Sequence, residues 1–236
     1  MRSYLTWYVR YLFAPTLMFV PLIAVGNVIF AGGPNWLVAP TIFAAALVVL
    51  TVERFAPHQP SWNGDHGERA RDLAYMATLV ALILTSAAIS RALPKPDLWP
   101  TDWPVWLQFA LVIVIADAGF TIARIVSHRW PLMWRFHEPH HAPHRLYGLN
   151  GMIKHPVNVG AEAAAGLSPL WLLGAPHEAT AVLGLAVGLQ LLLQHANLDL
   201  RTPGPLSFWA IAPVHRRHHY ADAVEGDVNF GLFTTV

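Results

Sequence analysis

The chain reads as an all-α, polytopic membrane protein, and three observations lead there. Apolar residues fill 55% of the 236 positions and charged residues only 12%, about half the charged share of an ordinary soluble domain. The apolar residues gather in uncharged runs, several of them long enough to cross a hydrocarbon core of ~30 Å as helices. Ten tryptophans and 19 prolines suit hydrophobic helices with aromatic belts at the membrane interfaces. The pattern predicts four transmembrane helices in two hairpins, two further hydrophobic helices that either span or re-enter, and a cytosolic histidine-rich cap. One domain covers 1–236, with an N-terminal helical hairpin at 1–52.

Each element has its own signal. Tyr11–Ala31 is free of charge over a span-length run. Arg2 and Arg10 before it imitate a secretory leader, but no small-residue cleavage site closes the run, so it reads as a first membrane helix. Gly32-Gly33-Pro34-Asn35 turns the chain into a second run, Trp36–Val52. The segment 53–72 is polar and carries Arg54, Arg69, Arg71, His58 and His66. A third run, Leu73–Ile89, stops at Arg91 and the Pro94-Lys95-Pro96 breaker. Trp99, Trp103 and Trp106 mark an interface ahead of the fourth run, which starts at Val105 and ends near Val126. Val157–Leu173 and Ala179–Leu193 flank a Gly174-Ala175-Pro176 break. Two hairpins enter and leave on one side, so the N-terminus, the 53–72 segment and the residues after 127 share it. That side is rich in arginine, whereas the far loops hold Arg91 and Lys95; the positive-inside bias makes it cytoplasmic.

A net charge of +1 gives no electrostatic support to a nucleic-acid partner. The absence of cysteine excludes disulfides, thiolate metal sites and iron–sulfur clusters, so any metal must be held by nitrogen and oxygen. Eleven of the 13 histidines fall between 128 and 219. His137-Glu138-Pro139-His140-His141 and His215-Arg216-Arg217-His218-His219 are both HxxHH. Residues at i, i+3 and i+4 share a helix face, so each motif is expected to aim three imidazoles at one point. Pro139 implies that the first motif's helix begins there or is distorted. His128 and His195 each end an apolar run on the same side and can complete a ring around that point. One such motif would fit a basic patch, a pH sensor or adventitious binding; two of identical spacing at one membrane face point to a metal. Imidazole suits iron, zinc, copper or nickel, and eight nitrogens exceed what one ion uses, so two ions are expected.

Further stretches carry a resemblance: Glu53-Arg54 with Pro57, Asp117 leading to His128-Arg129, Trp134-Arg135-Phe136-His137 with His140-His141, and Leu146-Tyr147-Gly148-Leu149-Asn150. His155-Pro156, His195-Ala196-Asn197 and His215 to His219 closing with Asn229-Phe230-Gly231 continue it. From about residue 53 onward the chain resembles the fatty acid hydroxylase / sterol desaturase superfamily of membrane di-iron enzymes. The resemblance implies a four-helix membrane base under a cytosolic, histidine-lined metal cap, with 73–236 as the catalytic portion. It implies two iron ions, replaceable by zinc on isolation, with dioxygen and a lipid as substrates. Electrons would come from a donor protein of cytochrome b5, ferredoxin or reductase type. The expected ligands are His128, His137, His140, His141, His195, His215, His218 and His219. The superfamily usually has a second histidine a turn after its first His-Arg; Leu132 and Met133 stand there in this chain, leaving His195 or His144 to substitute. Relatives also usually continue past the position of Val236 through a short aromatic and glycine-containing segment.

Supporting roles are expected of several other residues. Asp117 lies about three helical turns before His128, on roughly the same face, where its carboxylate can orient a ligating ring or pair with Arg124. His144, His155, Asn197, Asp227 and Asn229 are the other candidates for holding the rings from behind. His58, His66 and His177 read as solvated loop residues, and Arg216 and Arg217 as contacts for lipid phosphate or an acidic electron donor. The leading reading is a lipid hydroxylase, with a desaturase built on the same dimetal site as the alternative. A membrane metal-binding or transport protein is the reading from another class. Transport calls for charged residues inside several helices near the midplane, where only Asp117 and Arg124 qualify.

Overall fold

A computed structural model describes residues 2–64, 67–220 and 225–235; His66 lies outside them. Helices account for the regular structure, and no strand occurs among the described residues beyond two isolated bridges. The first hairpin consists of α2 (Phe13–Phe30) and α3 (Val38–Phe55), preceded by a short amphipathic α1 (Arg2–Tyr11). The second consists of α4 (Arg69–Ala92) and α5 (Val105–Arg129). Then follow α6 (Pro131–His141), α7 (Pro156–Leu172), α8 (His177–His195) and α9 (Ala212–His218). By length and hydropathy, α2, α3 with the 3-10 turn ahead of it, and α5 can each cross a membrane. Their outward faces are apolar and exposed, including Phe19, Ile23, Phe43, Leu47, Val114 and Ile122, as a lipid-facing surface requires. Three of the four expected spans meet this measure among the described residues; α4 is the 24-residue helix over the remaining run.

The sequence left open whether the last two apolar runs span or pack inward. For α8 the structure answers directly: it runs through the middle of the protein, buried from Ala179 to His195 on most of its faces. Leu185, Leu189, Leu192 and Leu193 pack against α2 and α3, so the N-terminal hairpin shares a core with the rest of the chain. At its other end Ala179 and Leu183 pack with Val112, Ala116 and Leu170 of α5 and α7. The α5–α7 crossing is close because glycines line it. A Cβ on Gly119 would sit 2.1 Å from the Ala165 carbonyl oxygen, and Gly166 lies beneath the Phe120 ring; small residues at such a crossing let two backbones approach. The α7–α8 turn uses Gly174 at φ +80°, where a Cβ would also strike the Pro96 carbonyl oxygen at 1.9 Å. Glycine alone meets both demands.

The molecule has two distinct ends. At one, Lys95 Nζ donates to the Ala175 carbonyl at 2.7 Å and lies 3.3 Å from His177 Nδ1. At the other, Glu53 at the foot of α3 accepts from the backbone N–H groups of Gly148 and Asn197, both at 2.8 Å. Arg10 pairs with Asp199 there at 2.7 Å. The histidine motifs belong to this second end.

Candidate metal centre

Each element delivers its imidazoles by a simple local device. His128 rides on the last turn of α5 and His195 on the last residue of α8. Helix α6 begins at Pro131, a first-turn position where a missing N–H costs nothing, and continues without a break through Pro139 to His141. Pro139 thus does not start this helix, which corrects one of the two expectations; it lies inside it near the end, where it removes one hydrogen bond. The second motif occupies α9, again opened by a proline, Pro213.

The eight histidines expected as ligands come together, but around two points. His128, His137, His141 and His218 form one group and His140, His195, His215 and His219 the other, with all candidate ligand atoms of a group within 4.8 Å of one another. Neither HxxHH motif aims all its rings at one point. Each places its first and last rings in one group and its remaining ring in the other, in opposite senses for α6 and α9. His195 does not join His128; it completes the second group. The rings of His141 and His219 stack at 4.4 Å where the groups meet.

Spacing and hydrogen bonding fit imidazoles gathered around cations. Nε2 atoms stand 3.1 Å apart for His137 and His141, 3.2 Å for both His195–His215 and His215–His219, and 3.4 Å for His140–His195. Ligands at ~2.1 Å from a metal lie about 3.0 Å apart at octahedral edges and 3.4 Å at tetrahedral ones. Behind the rings, Nδ1 of His137 meets Asn158 Oδ1 at 3.2 Å, and that of His140 meets the Ile153 carbonyl at 3.1 Å. Nδ1 of His195 and His218 donates to the Leu191 and Val228 carbonyls, both at 2.9 Å. Such bonds fix the proton on Nδ1 and leave the Nε2 lone pair for a metal. Nε2 of His128 and of His218 is buried with no hydrogen-bond partner. Burial, reinforced by neighbouring positive charge, pushes His137 down to about 2 and His140, His141, His215, His218 and His219 well below the ordinary value of 6.5. Both effects favour the neutral ring, the form that binds metal.

The remaining candidates lie elsewhere. Asp117 does not orient a ring: its carboxylate accepts from the N–H groups of Leu232 and Phe233 and from Thr234 Oγ1, at 3.0, 2.8 and 2.6 Å. Arg124 donates to the carbonyls of Phe230 and Gly231, each at 2.9 Å, so the two residues share a strap of chain rather than a direct bond. His144 is exposed. His155 caps α7, its Nδ1 accepting from Val157 N–H at 3.2 Å. Asn197 ties down Gln59 and Asn63, and Asp227 pairs with Arg129 at 2.5 Å. Asn229 adopts φ +59° and donates to the Val214 carbonyl. Leu132 and Met133 occupy the first turn of α6, outside both groups.

Sequence reasoning missed Asn158, which holds His137 and itself donates to Ser127 Oγ at 3.2 Å. It also missed the buried pair Lys154–Glu162, 2.6 Å apart, and Gln190 and Gln194, which donate to carbonyls of the same C-terminal strap. A signal was present: Asn158 and Glu162, like Gln190 and Gln194, stand four residues apart in apolar runs, on one helix face.

Two sets of four imidazoles, buried or half-buried at one end of a helical membrane bundle, define a membrane protein with a site that could hold metal. Residues 109–236 match the fatty acid hydroxylase family, and the chain belongs to that family. It is 33% identical over 198 residues to the ornithine lipid hydroxylase OlsE of Rhizobium tropici. That alignment covers 78% of this chain and 60% of the relative, so the chain spans less than two thirds of that protein's length. No solved structure matches the chain.

Proposed function

We propose that the chain is a membrane lipid hydroxylase working through two iron ions. The observation that supports this best is the pair of four-imidazole groups at coordination spacing in a member of the fatty acid hydroxylase family. His128, His137, His141 and His218 would hold one ion, and His140, His195, His215 and His219 the other. Iron in such a site supplies the activation of dioxygen that oxidation of an unactivated C–H bond needs. The chain's own contribution is position and dryness: His137, His140, His195 and His215 are fully buried, and carbonyls and Asn158 lock the rings. Overall, a lipid C–H, dioxygen, two electrons and two protons yield an alcohol and water, with the electrons from a donor protein on the cytoplasmic side, where the N-terminus and the centre lie. The Rhizobium relative is an ornithine lipid hydroxylase, which makes an ornithine lipid the first substrate to test.

Purified, folded protein is expected to carry two metal ions per chain by elemental analysis, zinc being an acceptable substitute for iron on overexpression. One ion or none would refute the dinuclear centre. Lipids of a host expressing the chain should include a species one oxygen heavier that is absent with His218→Ala. A product lighter by two hydrogens would establish the desaturase instead. Failure to consume dioxygen with an added reductase would leave a metal carrier.

A further inference from the structure

Helix α9 has a second side, turned away from the imidazoles. There Pro213 and Arg216, with Tyr11, His58, Asp199 and Arg201, line an open cleft of about 520 Å³, a volume in the range of small-ligand sites. None of these residues belongs to either imidazole group.

The charges of this cleft do not balance. Asp199 is the carboxylate in its wall, and it is held by Arg10 at 2.7 Å and by Arg201 at 3.4 Å. Arg216 adds a third guanidinium. Its Nη2 donates to the Ala196 and Leu198 carbonyls, but its buried Nε has no partner. Two guanidinium groups, of Arg201 and Arg216, thus line the cleft beside one carboxylate that Arg10 already holds from behind, and an anion is what such a positive site accepts. The level of the cleft narrows the source of that anion. Tyr11 ends α1, a helix that exposes Tyr4, Leu5 and Trp7 and carries Arg10 in its last turn. A helix with exposed aromatic residues and basic ends, joined directly to a membrane span, lies in the interfacial layer. The cleft therefore opens among lipid headgroups.

We propose that the cleft between α1 and α9 binds the anionic group, phosphate or carboxylate, of a membrane lipid. It is an anchoring site: α9 stands between it and the imidazoles, so a bound headgroup holds the cap against the bilayer from the side opposite the chemistry. The site stands whether or not the lipid hydroxylase reading does.

The test is native mass spectrometry of the full chain in neutral detergent, titrated with phosphatidylglycerol, with phosphatidylcholine or with inorganic phosphate. One phosphatidylglycerol should be retained in preference to phosphatidylcholine. Arg201→Glu, which reverses a charge at the cleft's exposed rim, should weaken that binding by about thirtyfold, at roughly 1 kcal/mol per unit of charge. Arg201→Lys should keep it within a few-fold, and an unchanged thermal midpoint for both variants certifies the fold. Inorganic phosphate binding as tightly as the lipid would overturn a lipid source. Equal retention of phosphatidylglycerol by wild type and Arg201→Glu would overturn the site itself. Loss of binding to an acidic electron donor with lipid retention intact would make the cleft a protein interface and overturn the proposal as well.

Discussion

Within each HxxHH motif, the first and last imidazoles turn toward one group and the remaining ring toward the other. Helix geometry makes this natural. At about 100° per residue, position i+4 returns close to the direction of position i, whereas i+3 falls short of it by about 60°. Three rings on one helix therefore straddle two points more easily than they crowd onto one, and two such helices facing each other supply three rings to each point. His128 and His195 bring each set to four. The clustered imidazoles were legible because their spacing is a property of sequence. Their supports were not, since three of the four acceptors behind the rings are backbone carbonyls of Ile153, Leu191 and Val228, which any residue type offers. His195→Ala should release the metal of the second group and leave about one ion per chain. His177→Ala should keep both, because His177 begins the same helix about 27 Å away at 1.5 Å per residue. Elemental analysis of the two variants decides the point; equal metal in both would reduce His195 to a helix-end residue.

At the scale of elements, α5 is the member on which the others depend. One of its faces meets α7 through Gly119, another meets the strap through Asp117 and Arg124, and its end presents His128. Composition announced α5 as a membrane span, but its polar residues were read as partners for rings and for each other. They serve instead the backbone of residues 230–234, which lies outside any helix, is bridged at Thr234 to Trp209, and must satisfy its other N–H and C=O groups away from water. Nothing in a local pattern of the sequence links positions 117 and 232; only the packed fold does. Gly119→Val is expected to lower stability by about 1–3 kcal/mol or more, since the added carbons meet α7 backbone rather than a movable side chain. Gly160→Ala, on the same partner helix but facing open space, is the control. Thermal unfolding in detergent should separate the two clearly, and similar midpoints would mean that the α5–α7 crossing yields.

For the whole molecule, the division into two ends carries the functional argument. The apolar runs foretold the helices closely, and the first hairpin begins and ends within a few residues of expectation. The central burial of α8 was beyond reach, because an apolar run looks alike whether lipid or protein surrounds it. Orientation in the bilayer is testable with single introduced cysteines, since the native chain has none. Ser61→Cys, exposed in the turn tied to Glu53 and Asn197, should react with an impermeant thiol reagent only after the cytoplasmic face is opened; labelling in intact cells would invert the assignment. The strap adds a constraint on biosynthesis. Asp117 and Arg124 stand about a hundred residues ahead of 230–234 in a candidate span, so the groups that will bind that backbone are made without it. A polar group unsatisfied in hydrocarbon costs several kcal/mol, so α5 gains its full stability only when residues 230–234 dock on it. Docking also brings the Phe230 ring within 5.1 Å of His128 and 5.4 Å of His218. Assembly thus has a built-in order: the α5 carboxylate and guanidinium are made first, and the segment that closes over them follows.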